Sequence, residues 1–295
     1  MNRLGSWFRL CLGLGLVAGL AALAVSWWAA VNHTSPVRFS AGSPPADFPV
    51  PLESVTFSAT DGITLAGWQG RVDSERGLVI LLHPFRAGRW LMLERARWYV
   101  ERGYSVLLYD SRATGESEGD RISVGWHETQ DLRGALRWAS QQGHEHILLH
   151  GISQGGATIL LAAEHLGEDV VGVIVESTYD TLINAGDRRF RQRVGLPGWL
   201  AGLFYRPFME IRLGFNIQNA SPIDHIDQIT APIFVLSGAA DRHTLEEDTR
   251  RLHAAAAPDA QLWIVPEADH VDLSAHSPSE FKQQLDHFLQ RIEGQ

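Results

Sequence analysis

The 295-residue chain is poor in exactly those residues that would assign it to several common classes of protein. It has one cysteine, Cys11, so no disulfide can close within the chain and no cysteine-based zinc site can be assembled. It has one lysine, Lys282, and a net charge of −9, which is the wrong balance for a nucleic-acid binder. Its 13 histidines show neither HxxxH nor HExxH spacing on an expected helix; His144 and His146 flank a strand start, and the set reads as scattered rather than metal-ligating. No acidic residue occurs before Asp47. With 45% hydrophobic residues, the chain is too apolar for a disordered segment and long enough for one large α/β domain.

What is present begins with an uninterrupted apolar run. Leu10 to Val31 reads LCLGLGLVAGLAALAVSWWAAV, with no charge. As a helix it spans roughly 33 Å, enough for a hydrocarbon core of about 30 Å. Arg3 and Arg9 precede it, so the positive-inside rule places the N-terminus in the cytoplasm and the remainder on the far, periplasmic or extracellular, side. Trp27 and Trp28 fit an aromatic belt. A cleaved signal peptide is the rival, but its apolar region is shorter and Trp28-Ala29-Ala30 is a poor cleavage site. Gly15 and Gly19 match the GxxxG pattern weakly. The expected organisation is an anchor over 1–31, a Pro-rich linker over 32–52 acting as a stiff spacer, and a domain over 53–295.

Within that domain, Val55–Thr60 and Thr64–Gly70 suggest a hairpin turning at Asp61-Gly62. Six short runs follow: LVILL from Leu78, VLLY from Val106, ILL from Ile147, VVGVIV from Val170, IFVL from Ile233 and LWIV from Leu262. Such continuous apolar runs mark strands buried on both faces, hence a parallel sheet. Helix-period stretches lie between them, at Leu91–Arg102, Trp126–Gln142, Gln154–Leu166, Leu245–Ala256 and Ser279–Ile292. The alternation predicts a mostly parallel, doubly wound α/β sheet. Residues of about 179–220 break the rhythm; rich in arginine and aromatics, they read as a short helical cap insertion.

The strand at Ile147 runs into Gly151-Ile152-Ser153-Gln154-Gly155, and a helix starts at once. A serine on a strand–turn–helix, framed by glycines that permit close approach of backbone, is the pattern of a nucleophile elbow. A serine needs a base, and the base an orienter. In the order Ser, Asp, His, two later strand ends supply Asp241 as orienter and His270 as base. Glu176, at the end of another strand, and Asp269, adjacent to His270, are alternatives for the acid; His243, His253 and His276 compete less well as the base. The oxyanion donors expected are the amide of Gln154 and that of Phe85 in the loop after Leu78–Leu82. Asp110 reads as capping its loop and pairing with Arg112 or local amides.

These residues resemble the α/β-hydrolase superfamily over roughly Glu53 to the C-terminus. Leu82-His83-Pro84 stands where many members carry His-Gly, and Asp110 to Gly119 is similar to a DxRGxGxSxG segment. Ser221-Pro222-Ile223, Ala231-Pro232-Ile233 and Gly238-x-x-Asp241 resemble the serine aminopeptidase-like and prolyl-oligopeptidase-like branches, including members with one N-terminal membrane helix. Proline at Pro84 and alanine at Ala113 depart from the usual glycines. The resemblance implies an α/β-hydrolase fold and acyl transfer through a serine, without cofactor or metal. A carboxylic ester or thioester is the expected substrate, with a small-molecule or lipid-like acyl group. The alternatives are an aminopeptidase-like serine peptidase and a catalytically silent tethered binding module. Phe190, Trp199, Phe204, Tyr205 and Phe208 suggest an apolar acyl site, and Arg188, Arg189, Arg191 and Arg193 either meet anionic groups or form a solvated basic face.

Overall fold

The computed structural model describes residues 3–73, 76–270 and 273–294. A long helix α1 (Arg3–Thr34) leads into the hairpin β1 (Leu52–Ser58) and β2 (Thr64–Gly70). Strand and helix then alternate through β3 (Leu78–Leu82), α2 (Leu93–Val100), β4 (Ser105–Tyr109), α3 (Glu128–Gln141), β5 (Ile147–Ile152), α4 (Gln154–Leu161) and β6 (Val170–Glu176). Three helices interrupt the pattern, α5 (Leu182–Val194), α6 (Trp199–Phe204) and α7 (Arg206–Leu213). The chain ends with β7 (Ile233–Gly238), α8 (Glu246–Ala255), β8 (Gln261–Val265), α9 (Leu273–His276) and α10 (Pro278–Glu293).

The eight strands form one sheet in the order β1-β2-β4-β3-β5-β6-β7-β8. Only β2 pairs antiparallel, with β1 and β4; every other pair is parallel. The pleat sends alternate side chains to opposite faces. Leu78, Ile80 and Leu82 of β3 therefore join one core, with Leu132 and Ala135 of α3, Ile159 and Leu160 of α4 and Leu252 of α8. Val79 and Leu81 join the other, with Ala96 and Tyr99 of α2 and Phe281, Leu285 and Phe288 of α10. This is why the central strands read as continuous apolar runs. The hairpin differs from the expected two-residue turn. Ser58 pairs with Thr64, and the Ala59 amide donates to the Ile63 carbonyl at 2.8 Å, so a five-residue loop carries the Asp61-Gly62 pair.

Residues 35–51, expected as a spacer, lie along the domain instead. The Val37 amide donates to the Ala113 carbonyl and the Gly115 amide to that of Val37, at 2.8 and 2.9 Å. Phe48 is buried, with the Arg97 guanidinium over its ring. The end of α1 is docked too: Ala30 and Thr34 are fully buried, and Ala30 shares a third apolar cluster with Leu182, Met209 and Leu213 of the inserted helices. Further back, from Trp7 to Trp28, the helix is almost wholly exposed.

Candidate active site

Ser153 sits between β5 and α4 with φ 53° and ψ −110°, a left-handed conformation that costs a non-glycine residue about 1–3 kcal/mol. Packing holds it there. A side chain on Gly155 would run into the Leu82 carbonyl of β3, and one on Gly151 into the backbone of Gly155 and Gly156. The Ser153 amide donates to the Glu176 carbonyl at 2.7 Å, tying the turn to the neighbouring strand end. The glycines thus let helix and strand close on the serine, and the turn aims its hydroxyl off the C-terminal edge of the sheet.

The structure brings Ser153, His270 and Asp241 together. His270 Nε2 lies 3.1 Å from Ser153 Oγ, and His270 Nδ1 lies 2.7 Å from Asp241 Oδ2. Asp241 Oδ1 accepts the His243 and Thr244 amides at 2.7 and 2.9 Å, and Oδ2 accepts the Thr244 hydroxyl at 2.5 Å. Burial alone would raise the Asp241 pKa, but the His270 hydrogen bond and charge and the Thr244 donors outweigh it, holding the group below its usual value. A carboxylate so anchored accepts a hydrogen bond from Nδ1–H of His270, which keeps the proton on Nδ1 and leaves Nε2 free to accept from the serine.

The other acids are placed elsewhere. Glu176 is fully buried, bonded to Arg95 Nε and Nη2 at 2.7 and 2.6 Å and to His150 Nε2 at 2.5 Å. Burial would raise its pKa, yet the charges of Arg95 and His150 bring it down to about 2. Asp269 is exposed and caps the His270 amide at 2.7 Å. Asp110 is buried and pairs with Arg89, through the amide at 2.8 Å and Nη1 at 2.7 Å, not with Arg112. Arg112 bonds Asp131 and Asp61. Ala113 has φ 58°, which explains why a glycine suits that position better.

Phe85 and Gln154 flank the serine. Gln154 is the first residue of α4, where a helix amide has no partner within the helix. Its own side-chain amide is buried with no hydrogen-bond partner among the described residues. The Phe85 loop is braced from two sides. Buried His83 accepts the Ser111 amide at Nε2, 2.9 Å away, and its Nδ1 faces the Pro84 carbonyl at 2.8 Å. Arg86 Nη1 donates to the Asn32 carbonyl at 3.1 Å, and the His33 ring meets the Phe85 ring edge-on at 5.1 Å.

Over Ser153 lies a largely apolar cavity, partly open to solvent, walled by Phe85, Val124, Tyr179, Leu182, Ile183, Met209 and Ile217. Of the five aromatics expected there, only Tyr205 lines it; Trp199 and Phe204 are exposed and Phe208 packs against Trp27. Aliphatic residues of α5 and its approach supply the wall instead. His33, not singled out in the sequence, belongs to the wall and bonds the Tyr205 hydroxyl at 2.7 Å. Thr244 was also missed; its place, three residues after Asp241 in the same turn, was the available signal.

Residues 79–284 match the sequence profile of the alpha/beta hydrolase family. The chain belongs to the alpha/beta hydrolase family. Among curated relatives, it is 27% identical over 240 residues to the uncharacterized protein YfhR of Salmonella typhimurium, covering 76% of each chain. It is 30% identical over 133 residues to the uncharacterized membrane protein YNL320W of Saccharomyces cerevisiae, covering 44% of this chain and 46% of that one. Among solved structures, the Pyrococcus furiosus esterase Pf2001 superposes with a TM-score of 0.74 at 25% identity, over 88% of this chain and 98% of its own. The alpha/beta hydrolase GrgF of a Penicillium species superposes with a TM-score of 0.65 at 21% identity, over 82% and 99%. The esterase-like neighbours go with a hydrolase.

Proposed function

We propose that this alpha/beta hydrolase is a membrane-anchored serine hydrolase that cleaves a carboxylic ester or thioester through an acyl-enzyme. The observation that carries the reading is the unbroken line of hydrogen bonds from Asp241 through His270 to Ser153, at 2.7 and 3.1 Å. In that reading His270 Nε2 takes the Ser153 proton as Oγ attacks the carbonyl carbon, and Asp241 stabilises the imidazolium. The amides of Gln154 and Phe85 receive the oxyanion. His270 then protonates the leaving group, and water releases the acyl group by the same sequence in reverse. An apolar cavity above the serine favours an acyl chain over a charged peptide, and the 25% identical Pyrococcus furiosus esterase supports ester hydrolysis over the peptidase chemistry of the aminopeptidase-like branch.

The anchor in this reading is α1, whose Trp7–Thr34 segment is long and apolar enough to cross a bilayer. Its positive N-terminal flank orients the catalytic domain to the outer side. Retention of the helix is favoured by its docked end: Ala30 packs against the inserted helices, His33 belongs to the cavity wall, and the carbonyl of buried Thr34 accepts the Ile122 amide at 2.8 Å. The test is labelling of the full chain in detergent by a fluorophosphonate probe, beside Ser153→Ala. Labelling lost in the variant supports the reading. An unlabelled, folded wild type, or residual ester turnover above about one percent in Ser153→Ala, overturns it. Turnover of aminoacyl anilides ahead of p-nitrophenyl esters would turn the assignment to a peptidase.

A further inference from the structure

The cavity wall carries one guanidinium with nothing to neutralise it. Arg188 is spent on Asp248, at 2.6 and 3.0 Å, and on the His243 carbonyl. Arg206 and Asp187 both line the cavity, but they pair with each other at 3.1 Å. Arg191 and Arg193 are exposed to solvent. Arg189 lines the same cavity as Ser153, and its Nε is buried without a hydrogen-bond partner among the described residues. No carboxylate among those residues forms an ion pair with it. The carboxylate whose field acts on it favourably is that of Asp241, which already accepts from His270, His243 and Thr244; the Tyr179 hydroxyl acts in the same direction. Burial, together with Arg193 and Arg188, therefore depresses its affinity for a proton below the ordinary arginine range.

Holding a cation in a partly dry wall without a partner is costly, and a partner-seeking group in a pocket discriminates strongly between ligands that satisfy it and ligands that do not. The geometry points to Arg189 as the specificity residue of the cavity, binding an anionic oxygen group, carboxylate or phosphate, carried by the acyl substrate. This rests on the hydrolase reading of Ser153 and narrows it. The substrate is then two-natured, with an apolar segment against Leu182, Ile183 and Met209 and an anion at Arg189. A guanidinium presents a planar fork that suits either oxyanion.

The test compares the full chain with Arg189→Gln and Arg189→Lys. One arm sets mono-p-nitrophenyl esters of dicarboxylic acids against neutral p-nitrophenyl esters of equal length. The other sets lysophosphatidic acid against monoacylglycerol. The expected result is a wild-type preference for the anionic member of one arm, about tenfold or more in kcat/KM. Which arm responds tells carboxylate from phosphate. In Arg189→Gln the anionic-to-neutral ratio falls toward one, and Arg189→Lys restores part of it. Absence of any wild-type preference in both arms overturns the inference, whether or not the variants fold. So does an Arg189→Gln protein in which both members fall equally. Calorimetric affinities of Ser153→Ala for the same uncleaved compounds read the same ratio independently of turnover, so failure of the anion site and failure of the serine chemistry are told apart.

Discussion

Asp241→Asn is the substitution for which the geometry dictates the outcome most closely. Oδ1 of Asp241 accepts two backbone amides, at 2.7 and 2.9 Å, and Oδ2 faces His270 Nδ1 at 2.7 Å and the Thr244 hydroxyl at 2.5 Å. An asparagine has one acceptor oxygen. The two amides cannot turn away, because they belong to the turn itself, so they capture that oxygen. The NH₂ group is then presented to His270 and Thr244. The hydroxyl of Thr244 adapts by accepting instead of donating. The imidazole adapts too, but only by moving its proton to Nε2, where it blocks acceptance of the Ser153 proton. The fold should survive, since every group keeps a partner. The rate should fall by about 10³–10⁴, equivalent to roughly 4–5.5 kcal/mol of transition-state stabilisation. The assay is kcat on a short p-nitrophenyl ester beside a thermal melt. A variant that melts with the wild type and keeps more than about a tenth of its rate would refute Asp241 as the orienter. Asp269→Asn, on an exposed side chain that caps only its neighbour's amide, should cost less than about tenfold.

Phe85→Ala and Phe85→Pro separate ring from amide: the alanine form should raise KM for long acyl chains, and the proline form should lower kcat by about 10²–10³ on every ester, as measured by steady-state kinetics. Arg95→Met removes the counter-charge of buried Glu176 and should destabilise the protein by about 3–5 kcal/mol at pH 7 in chemical denaturation. Glu176 titrates near 2 in the folded chain against an ordinary 4.5, so its contribution, about 3 kcal/mol, is complete above that ordinary value and vanishes as the pH falls through about 2; the gap between wild type and variant should narrow steadily below pH 4. Trp199→Ser with Leu203→Ser, on the exposed face of α6 beside α1, should weaken turnover of long-chain esters embedded in vesicles while short soluble esters are cleaved as before.

The order of sheet and helices could be read from the chain because β3, β4, β5 and β7 are buried on both faces and so carry no polar alternation. The elbow was legible for a related reason: glycines at 151 and 155 are forced by backbone contacts within a few residues and with one adjacent strand. What the chain did not disclose depends on partners far apart in it. Asp110 finds Arg89 across a loop, and no local pattern prefers Arg89 over Arg112. Residues 35–51 are held through backbone groups of Val37 and through Phe48, which leave no periodicity to detect. The composition of the insertion does not tell which of its hydrophobic residues wall the cavity. In the folded chain the bulkiest of them face outward, and smaller aliphatic residues of α5 face Ser153.

The last turns of α1 are bonded to Tyr205 and to the Phe85 loop, and they bury Ala30 against the inserted helices. The helix is therefore a post and not a leash, and it transmits torque. In a bilayer, any rotation of α1 about its axis swings the mouth of the cavity by the same angle. One residue inserted ahead of Leu20 would turn the preceding length of the helix through about 100° relative to the domain and displace it by about 1.5 Å, while the Trp27–Phe208 contact and the docked end of α1 stay as they are. In the anchored reading proposed above, the side of the cap that meets the lipid is set by the phase of a helix that ends more than a hundred residues before Ser153 in the sequence.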